Sequence, residues 1–266
     1  MKNKSLFIAL ALVAILGVQS AKAWGGFGHG AINYIAEQHL NPKAKAECRR
    51  YLQHTLSWHA SWMDHWRAVP PYQYTNSLHS FSATADGGIN WKSRKGGAAG
   101  LASRSIKKLS NGKYKNMSDS LVRYNLLLII HALPDMHCPV HISFSKKDFP
   151  EYKYNLRKNG KKFSRHKFWD ASPSFNREGW TYEEYAAHVD KMKPKAIKKK
   201  VIKDGKINTW GKDCVKQAHK ALSITTKNKD IAELTKKEQK AVWAVADGQA
   251  VKAAYRLAYV LNEIFK

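Results

Sequence analysis

A mainly α fold, one compact helical domain over residues 24–266, is predicted from three observations. Residues 28–40 (GHGAINYIAEQHL) bring Ile32, Ile35, Ala36 and Leu40 onto one face at helical spacing. Residues 118–133 (SDSLVRYNLLLIIHAL) form an apolar helix with Ser118 or Asp119 placed to cap it. The chain ends in an alanine-rich helical stretch from about 235 to 265, and strand signals are weak throughout.

The elements follow in chain order. Residues 1–23 read as a secretory leader, with Lys2 and Lys4, the apolar run 6–18, and Ala21-Lys22-Ala23 as the small–x–small cleavage pattern. The apolar run is short for a spanning anchor, which needs about 20 residues. The expected product is an exported protein starting at Trp24, periplasmic or secreted, without stable membrane association and monomeric. After the helix at 28–40, Asn41-Pro42 closes one element, and 43–56 reads as a second helix. The aromatic stretch 57–67 (SWHASWMDHWR) reads as helical, and Pro70-Pro71 ends it ahead of an extended or irregular YQYTNSLHSF. Residues 84–113, rich in Gly, Lys and Ser, read as a loop, and 145–167 shows no period. Two more helices are expected at 179–192 and 208–222, separated by a basic surface segment, and Gly248 is a candidate break in the last helix.

Lys and Arg outnumber Asp and Glu 46 to 20, a formal charge of +26, of which the leader carries three lysines and no acid. That excess suits nucleic acid, phosphorylated metabolites or anionic surfaces, and equally suits simple solubility. Lys191, Lys193, Lys195, Lys198, Lys199 and Lys200 form its one cluster. Three cysteines (Cys48, Cys138, Cys214) allow at most one internal disulfide, so no cysteine-stapled scaffold is expected.

The chemistry concentrates in HALPDMHCPVH, residues 131–141. His131 and Asp135 are four apart, on one helix face, and His141 follows beyond Pro139. A second such pair is His166 and Asp170, with Asp64 and His79 upstream. Imidazole and carboxylate are the donor mixture zinc accepts, and no cysteine need take part. Pro134, just before Asp135, strains the helix and is expected to kink it. On spacing alone, a metal centre and a set of ordinary packed or ion-paired side chains stand level.

The set resembles the secreted zinc-dependent single-strand nucleases of the S-one/P-one family, related in fold to the zinc-dependent phospholipases C. The resemblance runs through Trp24-Gly25…Gly28-His29, Trp62…Asp64, Leu78-His79 and His131-x3-Asp135-x-His137-x-Pro139-x-His141. It continues in His166-x2-Trp169-Asp170 and ends at Arg256-Leu257-Ala258…Leu261-Asn262. It implies three zinc ions. One is held by Asp64, His79, His131 and Asp135. A second takes the α-amine and carbonyl of Trp24, with His29 and a bridging Asp135. A third is held by His141, His166 and Asp170, and His137 stays outside the ligand set. Asp64 and Arg67 are the implied catalytic residues, with Arg67 contacting the reacting phosphate. Because the Trp24 amine exists only after cleavage, export and activation become one event.

The implied reaction is phosphodiester hydrolysis of single-stranded DNA or RNA to 5′-phosphorylated products, with removal of 3′-phosphate from nucleotides as a second activity. The sequence departs from the family at Ser80-Phe81-Ser82, after His79, where an aromatic and an acid are expected; Phe81 is the candidate for the displaced stacking ring. The glycine-rich turn before the last ligand pair is replaced by KNGKKFSRHKFWD. The alternatives are a phospholipase C-like enzyme acting on phospholipids and a non-catalytic basic protein that binds nucleic acid.

Overall fold

Trp24 adopts a left-handed backbone conformation (φ 45°), and α1 (Gly25–Gln38) begins at the next residue. The computed structural model describes residues 24–145, 153–191, 202 and 205–266. The expected leader, and Lys193, Lys195, Lys198, Lys199 and Lys200, lie outside the described residues; Lys191 is exposed.

The buried face of α1 carries Ile32, Ile35 and Ala36, and also His29 and Asn33. Helix α2 (Pro42–Leu52) starts where Asn41 Oδ1 accepts the Ala44 N–H at 2.8 Å and Pro42 fills the first helical position, which needs no N–H donor. The aromatic stretch after it forms two short helices, α3 (Leu56–His59) and α4 (Trp62–Trp66), followed by a 3-10 turn over Tyr72–Leu78. Strand β1 (Phe81–Ser82) comes next.

The expected loop at 84–113 contains a helix, α5 (Gly97–Leu109), with Ala98, Ala99, Leu101, Ala102 and Leu109 buried. Its glycines serve close approach rather than looseness. A Cβ on Gly97, at φ +54°, would meet Ser80 O at 1.9 Å. Helix α6 (Asp119–Asp135) is capped by Ser118 and is buried from Val122 onward on nearly every side, marking it as the central helix. Burying each of its leucines and isoleucines between Leu126 and Leu133 is worth about 1.5–3 kcal/mol. Around it lies a core shared with α2 and α5.

Strand β2 (Ile142–Ser143) pairs in parallel with β1, Phe81 opposite Ile142. The unpatterned region beyond it holds a hairpin, β3 (Asn155–Lys158) and β4 (Lys161–Ser164). Asn159 (φ 51°) and Gly160 (φ 73°) make its two-residue turn, so the Asn-Gly pair was a legible hairpin signal. Helices α7 (Arg165–Asp170), α8 (Tyr182–Lys191), α9 (Ile207–Ile224) and α10 (Lys236–Ile264) follow. Helix α10 opens with a capping box, Thr235 Oγ1 accepting the Glu238 N–H at 3.2 Å and Glu238 Oε2 accepting the Thr235 N–H at 2.8 Å. It passes through Gly248 without a break. It packs against α1, α6 and α9, bringing the metal-ligand candidates of α1 and α6 under one roof. The fold is mainly α, as the sequence predicts. Among the described residues, no helix is long and apolar enough to cross a membrane.

Candidate metal centre

The site grows from the C-terminal end of α6. Proline has no N–H, so Pro134 leaves the carbonyl of Ile130 without its helical donor. Asn33 of α1 supplies the missing donor, its Nδ2 lying 3.0 Å from Ile130 O. The helix therefore continues to Asp135. The Trp24 indole N–H donates to Pro134 O at 2.9 Å, fixing the start of α1 against the same turn. That anchor offsets the left-handed backbone at Trp24, which for a non-glycine costs roughly 1–2 kcal/mol.

His131 and Asp135 are fully buried. His131 donates from Nδ1 to Ala60 O at 2.7 Å, which leaves Nε2 facing inward, 3.3 Å from Asp135 Oδ2 and 3.2 Å from His79 Nδ1. Asp135 Oδ2 lies 2.9 Å from His79 Nδ1, and Oδ1 lies 3.2 Å from His29 Nε2. One carboxylate thus stands among three imidazoles from three separate elements. Asp64, on α4, is buried close by, its Oδ1 3.8 Å from His79 Nδ1 and 3.6 Å from Arg67 Nη1.

The β1–β2 pairing ties this group to a second one. His79 precedes β1 and His141 precedes β2, and His141 Nδ1 donates to His79 O at 2.5 Å. His141 Nε2 then faces Asp170 Oδ1 at 3.7 Å, and His166 Nδ1 lies 2.8 Å from Asp170 Oδ2 without hydrogen-bond geometry. Helix α7 sets His166 and Asp170 four apart, as α6 sets His131 and Asp135. His166, with 39% of its side chain exposed, is the rim of an otherwise buried cluster.

The electrostatics divide the site. Burial pushes the Asp135 carboxyl up, but the charge and hydrogen bond of His131, with hydrogen bonds from His29 and His79, hold it well below the usual carboxylate range. Burial dominates at Asp170 and raises it to about 6, against the opposing close contact and charge of His166. Burial lowers His141 to about 3, and burial with the neighbouring His131 lowers His29. Burial would also lower His131, but the Asp135 carboxylate turns the balance upward.

A divalent cation fits this donor set. Among the described residues, ten buried side-chain polar atoms lack a hydrogen-bond partner, and seven belong to expected ligands: His29, Asp64 (both oxygens), His79, His141, His166 and Asp170. Native interiors satisfy nearly all such atoms, and each exception costs about 1–3 kcal/mol. Three buried groups have donor atoms mutually within 4.8 Å: His29–His131–Asp135, Asp64–His79–His131, and Cys138–His141–Asp170.

Other sequence-predicted residues are placed as follows. Trp24 is buried beside the site, and its backbone N–H approaches the Cys138 sulfur. Arg67 closes α4 next to Asp64. His137 stands apart from the clusters: it donates from Nδ1 to Leu133 O at 2.8 Å and accepts from Arg256 Nη1 at 2.8 Å, while Arg256 also binds Asp213 at 2.8 Å. Phe81 is corrected. Its ring is only 2% exposed and packs in the main core, so it presents no face to a base. Cys138 is the residue sequence reasoning passed over. Its place inside the run 131–141, between two candidate ligand histidines, was the available signal.

The sequence profile of the S1/P1 Nuclease family matches residues 24–266. "Endonuclease 3" of Arabidopsis thaliana is 26% identical over 176 residues, a match covering 62% of this chain and 59% of that protein. With the profile match running from Trp24 through every ligand candidate to Lys266, the chain belongs to the S1/P1 nuclease family.

Proposed function

We propose that this chain is an exported, zinc-dependent phosphodiesterase that hydrolyses single-stranded DNA and RNA to 5′-phosphorylated products and also removes 3′-phosphate from nucleotides. The carrying observation is that seven partnerless buried atoms belong to expected ligands on α1, α4, α7 and the segments before β1 and β2, residues that the fold gathers beside His131 and Asp135 of α6. Family membership supports the reaction class.

Asp64, His79, His131 and Asp135 would hold one of three zinc ions, and His29, Asp135 and the freed amine and carbonyl of Trp24 a second. His141, His166 and Asp170 would hold the third. Bound zinc supplies Lewis acidity and brings the pKa of water from 15.7 to about 7. The protein's own contribution is placement. Asp135, ionised and fixed by three imidazoles, sets the spacing of two positions. Arg67, 16% exposed at its side chain, lies at the edge of the cluster, where its planar fork suits a phosphate oxygen pair. Removal of the leader would turn the Trp24 amide, which is no metal donor, into an amine that is one.

Parallel assays test the reading at equal zinc: single-stranded DNA, RNA, a 3′-nucleotide and phosphatidylcholine, each with and without chelator. Chelator-sensitive cleavage of the nucleic acids is expected. Cleavage of lipid alone would favour the phospholipase reading, and nucleic-acid binding without hydrolysis the non-catalytic one. An extra residue before Trp24 is expected to lower metal content; full zinc and full activity in such a protein would remove the amine from the ligand set.

A further inference from the structure

We propose that the Cys138 sulfur is itself a ligand in the centre formed by His141, His166 and Asp170, giving that position a fourth, soft donor. The inference rests on the reading of these residues as a zinc site.

Four observations carry it. Cys138 Sγ lies 3.4 Å from Asp170 Oδ1. Sulfur and oxygen sharing one tetrahedral zinc stand roughly 3.5 Å apart, given bonds of about 2.3 and 2.0 Å. His141 Nε2 faces the same oxygen at 3.7 Å, and the three donor atoms lie mutually within 4.8 Å. His141 is fixed in direction, since Nδ1 is spent on His79 O, and its Nε2 is buried with no hydrogen-bond partner. Asp170 Oδ2 is buried and equally without one. Finally, the backbone N–H of Val140 approaches the sulfur, and an amide donor favours an anionic acceptor. Cys48 and Cys214 are buried in the main core and belong to none of the three donor groups.

The chemistry follows from the donor. On binding, the thiol proton is released and the sulfur takes the place that a water would fill in a site of three protein ligands. The position becomes closed and softer, selecting zinc over magnesium or manganese more sharply than oxygen and nitrogen donors do. The two positions around Asp135 retain only nitrogen and oxygen donors, so the hydrolytic work falls to them.

Cobalt(II) replacement reads the sulfur directly, because a cobalt–thiolate bond has an intense near-ultraviolet charge-transfer band that nitrogen and oxygen donors lack. The full protein, processed at Trp24, is loaded with cobalt, and its bound metal is counted alongside the spectrum. The band is expected in the native protein and in the double variant Cys48→Ser/Cys214→Ser. It is expected to vanish in Cys138→Ser, with affinity for the last-bound ion weakened at least about tenfold. Full cobalt occupancy without the band, in the native protein or the double variant, overturns the inference while leaving the metal reading intact: the sulfur would then only donate a hydrogen bond to Asp170. Failure to bind cobalt or zinc at all would sink both.

Discussion

Asp135 is where the residue scale decides the most. It is fully buried, is held ionised chiefly by His131, and touches three imidazoles at 2.9–3.3 Å. Asp135→Asn keeps the shape and removes the charge, so on the proposed reading two cation positions would lose their shared anionic ligand at once. Changes to residues that merely orient ligands cost 10–100-fold in metal affinity or activity, so losing this one should cost more than about 100-fold in hydrolysis. Elemental analysis should find the variant short of two ions, and a fully metallated variant would remove Asp135 from its bridging place. The clustering of the ligand candidates was legible because helical spacing and order along the chain survive folding as geometry: His131 and Asp135, like His166 and Asp170, do share a face. Phe81 was misread because a residue two after a ligand has no fixed direction until the strand is known, and β1 turns the ring into the core. Cys138 was passed over because zinc's tolerance for nitrogen and oxygen donors made sulfur unnecessary, which is no argument that sulfur is absent.

At the scale of elements, helix starts and periodic faces were readable, while glycine was the source of error. Ser118, Asn41 and Thr235 all cap as polar residues ahead of apolar periods should. Residues 97–109 look like a loop because Gly97 and Gly100 lower helix propensity, yet tertiary contact overrides that cost. Gly97→Ala should therefore destabilise rather than stabilise. A methyl group would sit 1.9 Å from Ser80 O at a φ of +54°. The loss expected from urea unfolding is more than about 1 kcal/mol. Since Ser80 follows His79, zinc affinity should fall with it; unchanged stability would mean that α5 can shift away without consequence. A second link joins the turn after α6 to α10 through His137 and Arg256. Burial, then the Arg256 charge, lowers His137 to about 3, so the neutral ring belongs to the folded state. In the unfolded chain an ordinary His binds its proton below roughly pH 6.5. Between about 6.5 and 3 the unfolded state holds the extra proton, and stability falls as pH falls, by up to about 1.4 kcal/mol per pH unit. In metal-free protein, His137→Asn should flatten the stability–pH slope across that window; an unchanged slope would show that His137 is not what titrates there.

For the whole molecule, the question is what a formal charge of +26 does for a site whose own polarity is set by buried carboxylates and imidazoles. The sequence left solubility and substrate attraction level, and the described lysines do not decide between them. Lys193 to Lys200, the densest basic run, lies outside the described residues. Substrate length separates the two roles. A single strand that displaces counterions through Z phosphate contacts loses affinity with salt at a slope of about −0.7Z on logarithmic axes. With three such contacts, raising salt from about 50 to 200 mM should weaken binding roughly twentyfold. A 3′-nucleotide, which carries no flanking phosphates to contact, should respond far less. The expected outcome is a steep rise in KM for single-stranded DNA with kcat nearly constant, beside a shallow rise for the mononucleotide. Equal and shallow responses would assign the basic surface to solubility. Recognition would then rest with Arg67 and the metal centre alone, and strand length should then make little difference to KM at any salt.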